Sequence, residues 1–319
     1  MSAPVRIGVL GCADIAVRRM LPAFTASPDV EVAAVASRDR GRAERTAGRF
    51  GCRPVHGYAE LLDRDDVQAV YVPLPAALHA HWVEAALEAG KHVLAEKPLT
   101  TDPDTTERLL ELAGKQGVAL MENVMFLHHP RHEAVRRLVA DGRIGEPRSL
   151  HAAFTIPPLP DSDIRYDPGL GGGALADVGL YPLRAALHFL GPELEVIGAR
   201  LARGPGRRVE TSGAALLGTP DGVTAHVTFG MEHAYLSRYE LWGSEGRITV
   251  DRAFTPPADF VPLVGLHTSA GTEEIRLTPA DQVAATVAAF VASVRAGHAP
   301  GADTLRQAVL LDAVRHRSG

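Results

Sequence analysis

Cysteine is nearly absent from this 319-residue chain, with Cys12 and Cys52 the only two. One pair cannot staple a disulfide scaffold or complete a multi-cysteine zinc site, and it suits a reducing compartment. Both read as ordinary small residues. Positive charge is not in excess either: 33 Lys and Arg stand against 38 Asp and Glu, a net charge of −5, and the pI is 6.3. No basic field is available for a phosphate backbone and no basic run carries interleaved aromatics, so nucleic acid is not an expected partner. Uninterrupted apolar runs long enough to span a bilayer are missing. MSAPV passes straight into an apolar strand, without a charged segment leading a signal core. A soluble cytoplasmic protein that meets no membrane is therefore expected. Internal repeats and low-complexity tracts are missing too.

What remains is globular: 46% hydrophobic and 22% charged residues leave no room for a long disordered tail. The length favours two domains. RIGVLG, VEVAAVAS, QAVYVPLP, KHVLAEKP and VALMENV are short β-branched runs separated by helical patterns, including one from Asp102 to about Lys115. That rhythm predicts parallel strands with crossover helices. After about Asn123 the pattern changes to a helix near Pro130–Ala140, a strand SLHAAFTIP and a loop rich in Pro and Gly. A helix over Ala174–Leu190 follows, then strands without intervening helices from Leu194 to about Ile275, and two closing helices. The expectation is an α/β chain: residues 1–122 a doubly wound, dinucleotide-binding parallel sheet, and residues 123–319 an α+β domain on a largely antiparallel open sheet that binds substrate and makes oligomers.

Gly11, Cys12, Ala13, Asp14, Ile15 and Ala16 lie directly after the first strand and open the first helix. Small residues there let the backbone approach a pyrophosphate, and the helix N-terminus offers unpaired N–H groups with partial positive charge. Alanine replaces glycine at two of the three glycine positions of such a turn; the bland alternative is a tight strand-to-helix turn. The second strand ends Ala36-Ser37-Arg38, with no carboxylate placed for ribose hydroxyls. Ser37 can donate to a 2′-phosphate, and Arg38 can pair with it and stack on adenine, which predicts NADP(H) over NAD. Asp39 reads as a helix cap.

Two distant motifs, Glu96-Lys97-Pro98 within AEKPLT and Asp177 with Tyr181 within GLGGGALADVGLYPLRAALHFLG, make the chain resemble the glucose-fructose oxidoreductase/inositol dehydrogenase family over nearly its whole length. GCADIAVRRMLPA, MEHAY and DRAFTPP are similar to the actinobacterial dTDP-sugar C-3 ketoreductases within it. That resemblance implies a Rossmann domain and reduction of the 3-keto group of a nucleotide-linked 3,4-diketo-2,6-dideoxyhexose in deoxysugar and antibiotic biosynthesis. It also places Glu96, Pro73, Leu74, Pro75 and His79 along the cofactor, Arg165 near NADP(H) and Arg19 near substrate, and it suggests a cis bond before Pro98.

Hydride transfer to a ketone leaves an alkoxide-like oxygen that needs a proton and a positive neighbour. Lys97, after a strand at the carboxyl edge of the sheet, and Tyr181 can supply both; which of them is the direct acid stays open. Asp177 and Tyr181, four apart on an expected helix, share one face. Asp177 either orients Lys97 or contacts the nicotinamide ribose, and Gly171-Gly172-Gly173 ahead of it either admits a flat ligand or gives a flexible helix entry. Tyr58 touches the cofactor or belongs to the core, and His79 is equally readable as a satisfied helix-start histidine. Tyr235 and Thr255 contact a sugar nucleotide or are ordinary sheet residues. His128, His129 and His132 lack the carboxylates of a metal shell and are expected to be solvated at a helix start. Alternative functions are a dehydrogenase of a free sugar, inositol or dihydrodiol, a cofactor-binding regulator without turnover, and an interaction module. An exposed sheet face in the second domain predicts a homodimer or homotetramer.

Overall fold

Runs of β-branched and small apolar residues set the first sheet. In this computed structural model, which describes residues 3–299 and 301–318, β1 (Val5–Leu10), β2 (Val30–Ser37), β3 (Arg53–His56), β4 (Ala69–Val72), β5 (His92–Glu96) and β6 (Leu120–Asn123) lie in the order β3-β2-β1-β4-β5-β6. Every pairing is parallel. All four residues of β4 are buried, as a strand covered on both faces requires. The crossovers are α1 (Leu21–Ala26), α2 (Arg40–Phe50), α3 (Ala59–Leu62), α4 (His79–Glu88) and α5 (Pro103–Gln116). The last starts on an Asp102 cap with Pro103 at its first position and stops at Gly117, close to the expected bounds. Strand order reverses between β1 and β4, and doubly wound sheets take ligands beside the strand ends at that point.

The second sheet follows α6 (Pro130–Ala140). Its strands are β7 (Pro147–Thr155), β8 (Glu195–Ala202), β9 (Ser212–Gly218), β10 (Thr224–Gly230), β11 (Leu236–Gly243), β12 (Gly246–Asp251), β13 (Leu263–Thr268) and β14 (Gly271–Arg276). They run in the order β14-β13-β12-β11-β7-β10-β9-β8, antiparallel except for the parallel pair β7 and β10. Buried and exposed residues alternate along β10 and β11, the signature of a sheet with one covered face. α7 (Leu180–Leu190) covers that face by packing on β7 and β10.

Two helices expected to be regular are not. Ala16–Met20 ahead of α1 and Leu175–Gly179 ahead of α7 are wide π-turns. Each is followed within three residues by a proline, Pro22 or Pro182. A proline inside a helix has no N–H to give and its ring crowds the carbonyl four residues back; here those carbonyls belong to Arg18 and Val178, inside the widened turns.

The chain divides into one unit of Met1–Val124 with Val283–Leu305 and another of Met125–Gln282 with Arg306–Gly319. A single change of domain after residue 122 therefore does not describe it, because residues 283–305, expected in the second domain, return to the first. One tie within that unit is the surface ion pair of Arg295, on α8 (Gln282–Ala296), whose Nη2 lies 2.6 Å from Asp29 Oδ1. α9 (Ala302–His316) closes the chain. Among the described residues no helix is long and apolar enough to cross a membrane.

Gly243 ends β11 where the register with β7 shifts, and a Cβ there would fall on the Ile144 carbonyl. Backbone cannot yield as a side-chain tip can, so Gly243→Ala is expected to cost about 2 kcal/mol. Urea unfolding of variant and parent checks this; an unchanged midpoint would show that the bulge accepts a side chain.

Candidate active site

In the first unit the expected cofactor residues converge on the strand ends. Gly11 has φ +123, a conformation that favours glycine, and a Cβ there would stand 3.1 Å from Leu74 Cδ2 and 3.7 Å from the Tyr58 hydroxyl. The missing side chain thus leaves a cradle bounded by residues from three segments. Tyr58 is buried, edge-on to Trp82 with centroids 5.0 Å apart, so it is a core residue whose hydroxyl faces the turn. Arg42 Nη2 donates to the Cys12 carbonyl at 2.6 Å and ties the turn to α2. Cys12 is buried and carries a free thiol. Ala16 is fully buried, Ala13 and Ile15 are half-buried, and Asp14 is exposed, paired with Arg18 at 3.1 Å. Arg19 is exposed on the π-turn. A cradle at a helix start, with bare backbone at Gly11 and the Leu74 and Tyr58 side chains at its edge, fits a dinucleotide pyrophosphate.

Ser37 is buried and its Oγ accepts from the Asp39 N–H at 3.1 Å, while Arg38 is exposed. Asp39 caps α2, taking the Arg42 N–H at 2.9 Å. The acid nearest the end of β2 is thus engaged with its own helix.

Lys97 stands on a segment held at the residues around it. Glu96 Oε1 accepts from the Tyr71 hydroxyl at 2.6 Å and from Asn123 Nδ2 at 2.7 Å. Burial, and next the Glu96 carboxylate, hold the Tyr71 phenol well above its ordinary range, which keeps it a donor. The Lys97–Pro98 bond is cis. The Pro98 carbonyl lies 2.8 Å from His79 Nδ1, and Leu99 N–H donates to Glu122 Oε1 at 2.9 Å. Leu74 and Pro75, half-buried, form the turn after β4, and the Leu74 carbonyl lies 2.7 Å from His79 Nε2. His79 is 1% exposed; of its two readings, this is the satisfied buried histidine. Tyr71, Asn123 and Glu122 were not singled out by sequence, although polar residues closing an apolar strand are a usable signal.

In the second unit Asp177 lies on the π-turn Leu175–Gly179. Its Oδ2 accepts from Arg165 Nε at 2.8 Å, and Arg165 Nη1 reaches Asp163 Oδ1 at 3.1 Å. Asp177 foremost, against burial, raises the affinity of Arg165 for its proton. The glycine run packs the loop on itself: a Cβ on Gly172 would fall on the Arg165 carbonyl, and one on Gly173 would meet the Glu210 carboxylate. Tyr181 is half-buried at the start of α7 in a nest of Phe154, Phe254 and Phe126, at centroid distances of 4.9, 5.7 and 6.0 Å. Gln282 Nε2 donates to the Phe254 carbonyl at 3.1 Å and fixes one wall. Tyr235 is 44% exposed just before β11, with the Arg252 guanidinium 5.9 Å from its ring. Thr255, next to Phe254, is exposed.

The histidines depart from expectation. His129 and His132 are buried rather than solvated, because α6 turns this end inward. His129 Nδ1 accepts from the Arg131 N–H at 3.2 Å, and His132 Nδ1 lies 2.9 Å from the Tyr239 hydroxyl. Burial, with the Arg131 charge second, pushes His129 down to about 4. His128 is half-buried and likewise lowered by burial.

Residues 5–124 match the family described as "Oxidoreductase family, NAD-binding Rossmann fold", and residues 132–249 match the GFO/IDH/MocA C-terminal domain. The chain is 55% identical over 315 residues to the dTDP-3,4-didehydro-2,6-dideoxy-alpha-D-glucose 3-reductase of Actinomadura kijaniata, covering 98% of this chain and 95% of that one. It is also 55% identical to the Streptomyces antibioticus protein of the same name, over 97% of this chain and 96% of that one. Among solved structures, KijD10, a 3-ketoreductase from Actinomadura kijaniata in complex with NADP and TDP-benzene, superposes with a TM-score of 0.96 at 55% identity, covering 98% of both chains. Matches to both halves of the family, together with this identity over nearly the full length, establish that the chain belongs to the GFO/IDH/MocA oxidoreductase family.

Proposed function

We propose that the chain is an NADPH-dependent ketoreductase that reduces the C-3 keto group of a dTDP-linked 3,4-diketo-2,6-dideoxyhexose in deoxysugar biosynthesis. The observation that carries this reading is the 55% identity, over almost the whole chain, to relatives bearing that activity. Lys97, Asp177 and Tyr181 all being present speaks against a regulator without turnover.

The Gly11 turn holds the pyrophosphate, Ser37 and Arg38 hold the 2′-phosphate, and Leu74, Pro75 and Glu96 line the path towards the nicotinamide. Bound NADPH supplies the hydride. Tyr181 then gives its phenolic proton to the substrate oxygen, and the Lys97 ammonium stabilises negative charge on that oxygen and on the ionised phenol. The phenylalanine nest keeps the Tyr181 ring in place and excludes water around it. Arg165 orients Asp177 through the ion pair between them. Arg19, Tyr235 and Thr255 are assigned to the nucleotide sugar. Assembly as a dimer or tetramer through the second sheet is supported by its exposed Trp242 and Leu263, 41% and 43% accessible, and by the stacked rings of His226, His151 and Trp242, each 4.6 Å from the next.

Incubation with freshly generated dTDP-3,4-diketo-2,6-dideoxyglucose, followed through loss of NADPH absorbance beside a panel of free sugars, is expected to show turnover with the nucleotide sugar; turnover confined to free sugars would replace the reading with the dehydrogenase alternative. Lys97→Ala and Tyr181→Phe should each lower kcat by about 10²–10⁴-fold while NADPH still binds, and a variant retaining most activity removes that residue from the proton step. Arg38→Asp is expected to weaken kcat/KM for NADPH by roughly 10–100-fold relative to NADH; an unchanged ratio places the 2′-phosphate elsewhere. Trp242→Glu should lower the mass measured by light scattering with the circular dichroism spectrum retained, whereas an unchanged mass would move the interface off this face.

A further inference from the structure

His79 opens α4 with its ring fully enclosed, and each ring nitrogen faces a main-chain carbonyl, Leu74 O at 2.7 Å and Pro98 O at 2.8 Å. Neither carbonyl has a proton to give, so any proton shared at either contact comes from the imidazole. With both ring protons His79 donates twice; with one it donates once, and the other nitrogen faces its carbonyl lone pair to lone pair. Burial outweighs the opposing pull of the two carbonyls and the Glu96 carboxylate and, with a smaller contribution from the Lys97 charge, holds the ring's affinity for the second proton below that of an ordinary imidazole. The two acceptors belong to different working parts: Leu74 borders the Gly11 cradle, and Pro98 immediately follows Lys97.

We infer that His79 is a positioning residue that couples the cofactor-lining turn after β4 to the Lys97 segment after β5, through one ring, each nitrogen of which is seated against the carbonyl of one segment. The roles of those two segments rest on the reading given under Proposed function. The ring itself touches only main chain and does no chemistry on the substrate. Holding Nε2 to Leu74 fixes a wall of the cradle, and holding Nδ1 to Pro98 fixes the peptide on which Lys97 is mounted, so the two contacts have separable consequences.

Amide side chains separate them. The asparagine nitrogen falls near the position of Nδ1 and the glutamine nitrogen near that of Nε2, so His79→Asn keeps a donor for Pro98 and releases Leu74, and His79→Gln does the reverse. His79→Asn is expected to raise the Kd of NADPH, measured by coenzyme fluorescence, on the order of tenfold with a smaller fall in kcat; His79→Gln is expected to lower kcat on the order of tenfold with a smaller change in Kd. Equal values of both parameters across the two variants, or losses that run in parallel and follow the melting temperature, would reduce His79 to a packing residue and overturn the inference. In the parent protein with nitrogen-15 in its histidine rings, one His79 nitrogen should carry a hydrogen-bonded, exchange-protected N–H near neutral pH and the other should gain one only on acidification; a ring with no protected N–H at either nitrogen also overturns it, and this readout survives if neither variant folds. The Kd comparison uses no sugar. If Lys97→Ala retains turnover while the Kd split holds, the catalytic reading falls and the coupling stands; if Lys97→Ala is inactive and both His79 variants match the parent, the coupling alone falls.

Discussion

The pinning of the Glu96–Leu99 segment is the constraint on which the role proposed for Lys97 rests. Lysine has a long side chain with several rotatable bonds, and a flexible mount would multiply its positional freedom. Here Tyr71 and Asn123 share one oxygen of Glu96, His79 meets the Pro98 carbonyl, and Glu122 takes the Leu99 N–H. These partners come from β4, β6 and the start of α4, so the sheet's strand order brings them to the segment. Each bond adds modestly to stability on its own; together they fix the base from which Lys97 projects.

The second unit secures its residues by other means. Asp177 is oriented by an ion pair with Arg165, and Tyr181 by three phenylalanine rings. Both residues follow from a helix whose entry is widened ahead of Pro182, as Arg19 follows from the one ahead of Pro22. In both units, then, a proline close behind a helix start changes the local register just where residues assigned to ligands are presented. π-turns recur at functional sites in proteins generally, at some cost in helix regularity.

Much of this was legible in the sequence, and the limits have physical causes. Parallel strands buried on both faces leave continuous apolar runs, so β1, β2, β4 and β5 stand out, and Asp102 with Gly117 brackets α5 as capping rules require. Lys97, Asp177 and Tyr181 can be singled out as candidates because their motifs are local in sequence. Tyr71, Asn123 and Glu122 were not, because their role exists only when neighbouring strands are brought into register. The π-turns were missed because 3.6-residue periodicity assumes a regular helix. His129 and His132 were expected in water because histidine has no strong burial preference and the inward face of α6 is weakly marked. The return of residues 283–305 to the first unit could not be read from a helix pattern that fits either sheet equally well.

That return has a consequence for how the protein is made. Residues 283–305 complete the unit that residues 1–124 begin, and Arg295 closes on Asp29 across most of the length of the chain. During synthesis the amino-terminal sheet emerges first, yet residues 283–305 of the same unit leave the ribosome only after the whole second sheet has been translated. The nascent first unit therefore stays incomplete while some 160 later residues are added, a period in which chaperone binding or aggregation competes with native closure.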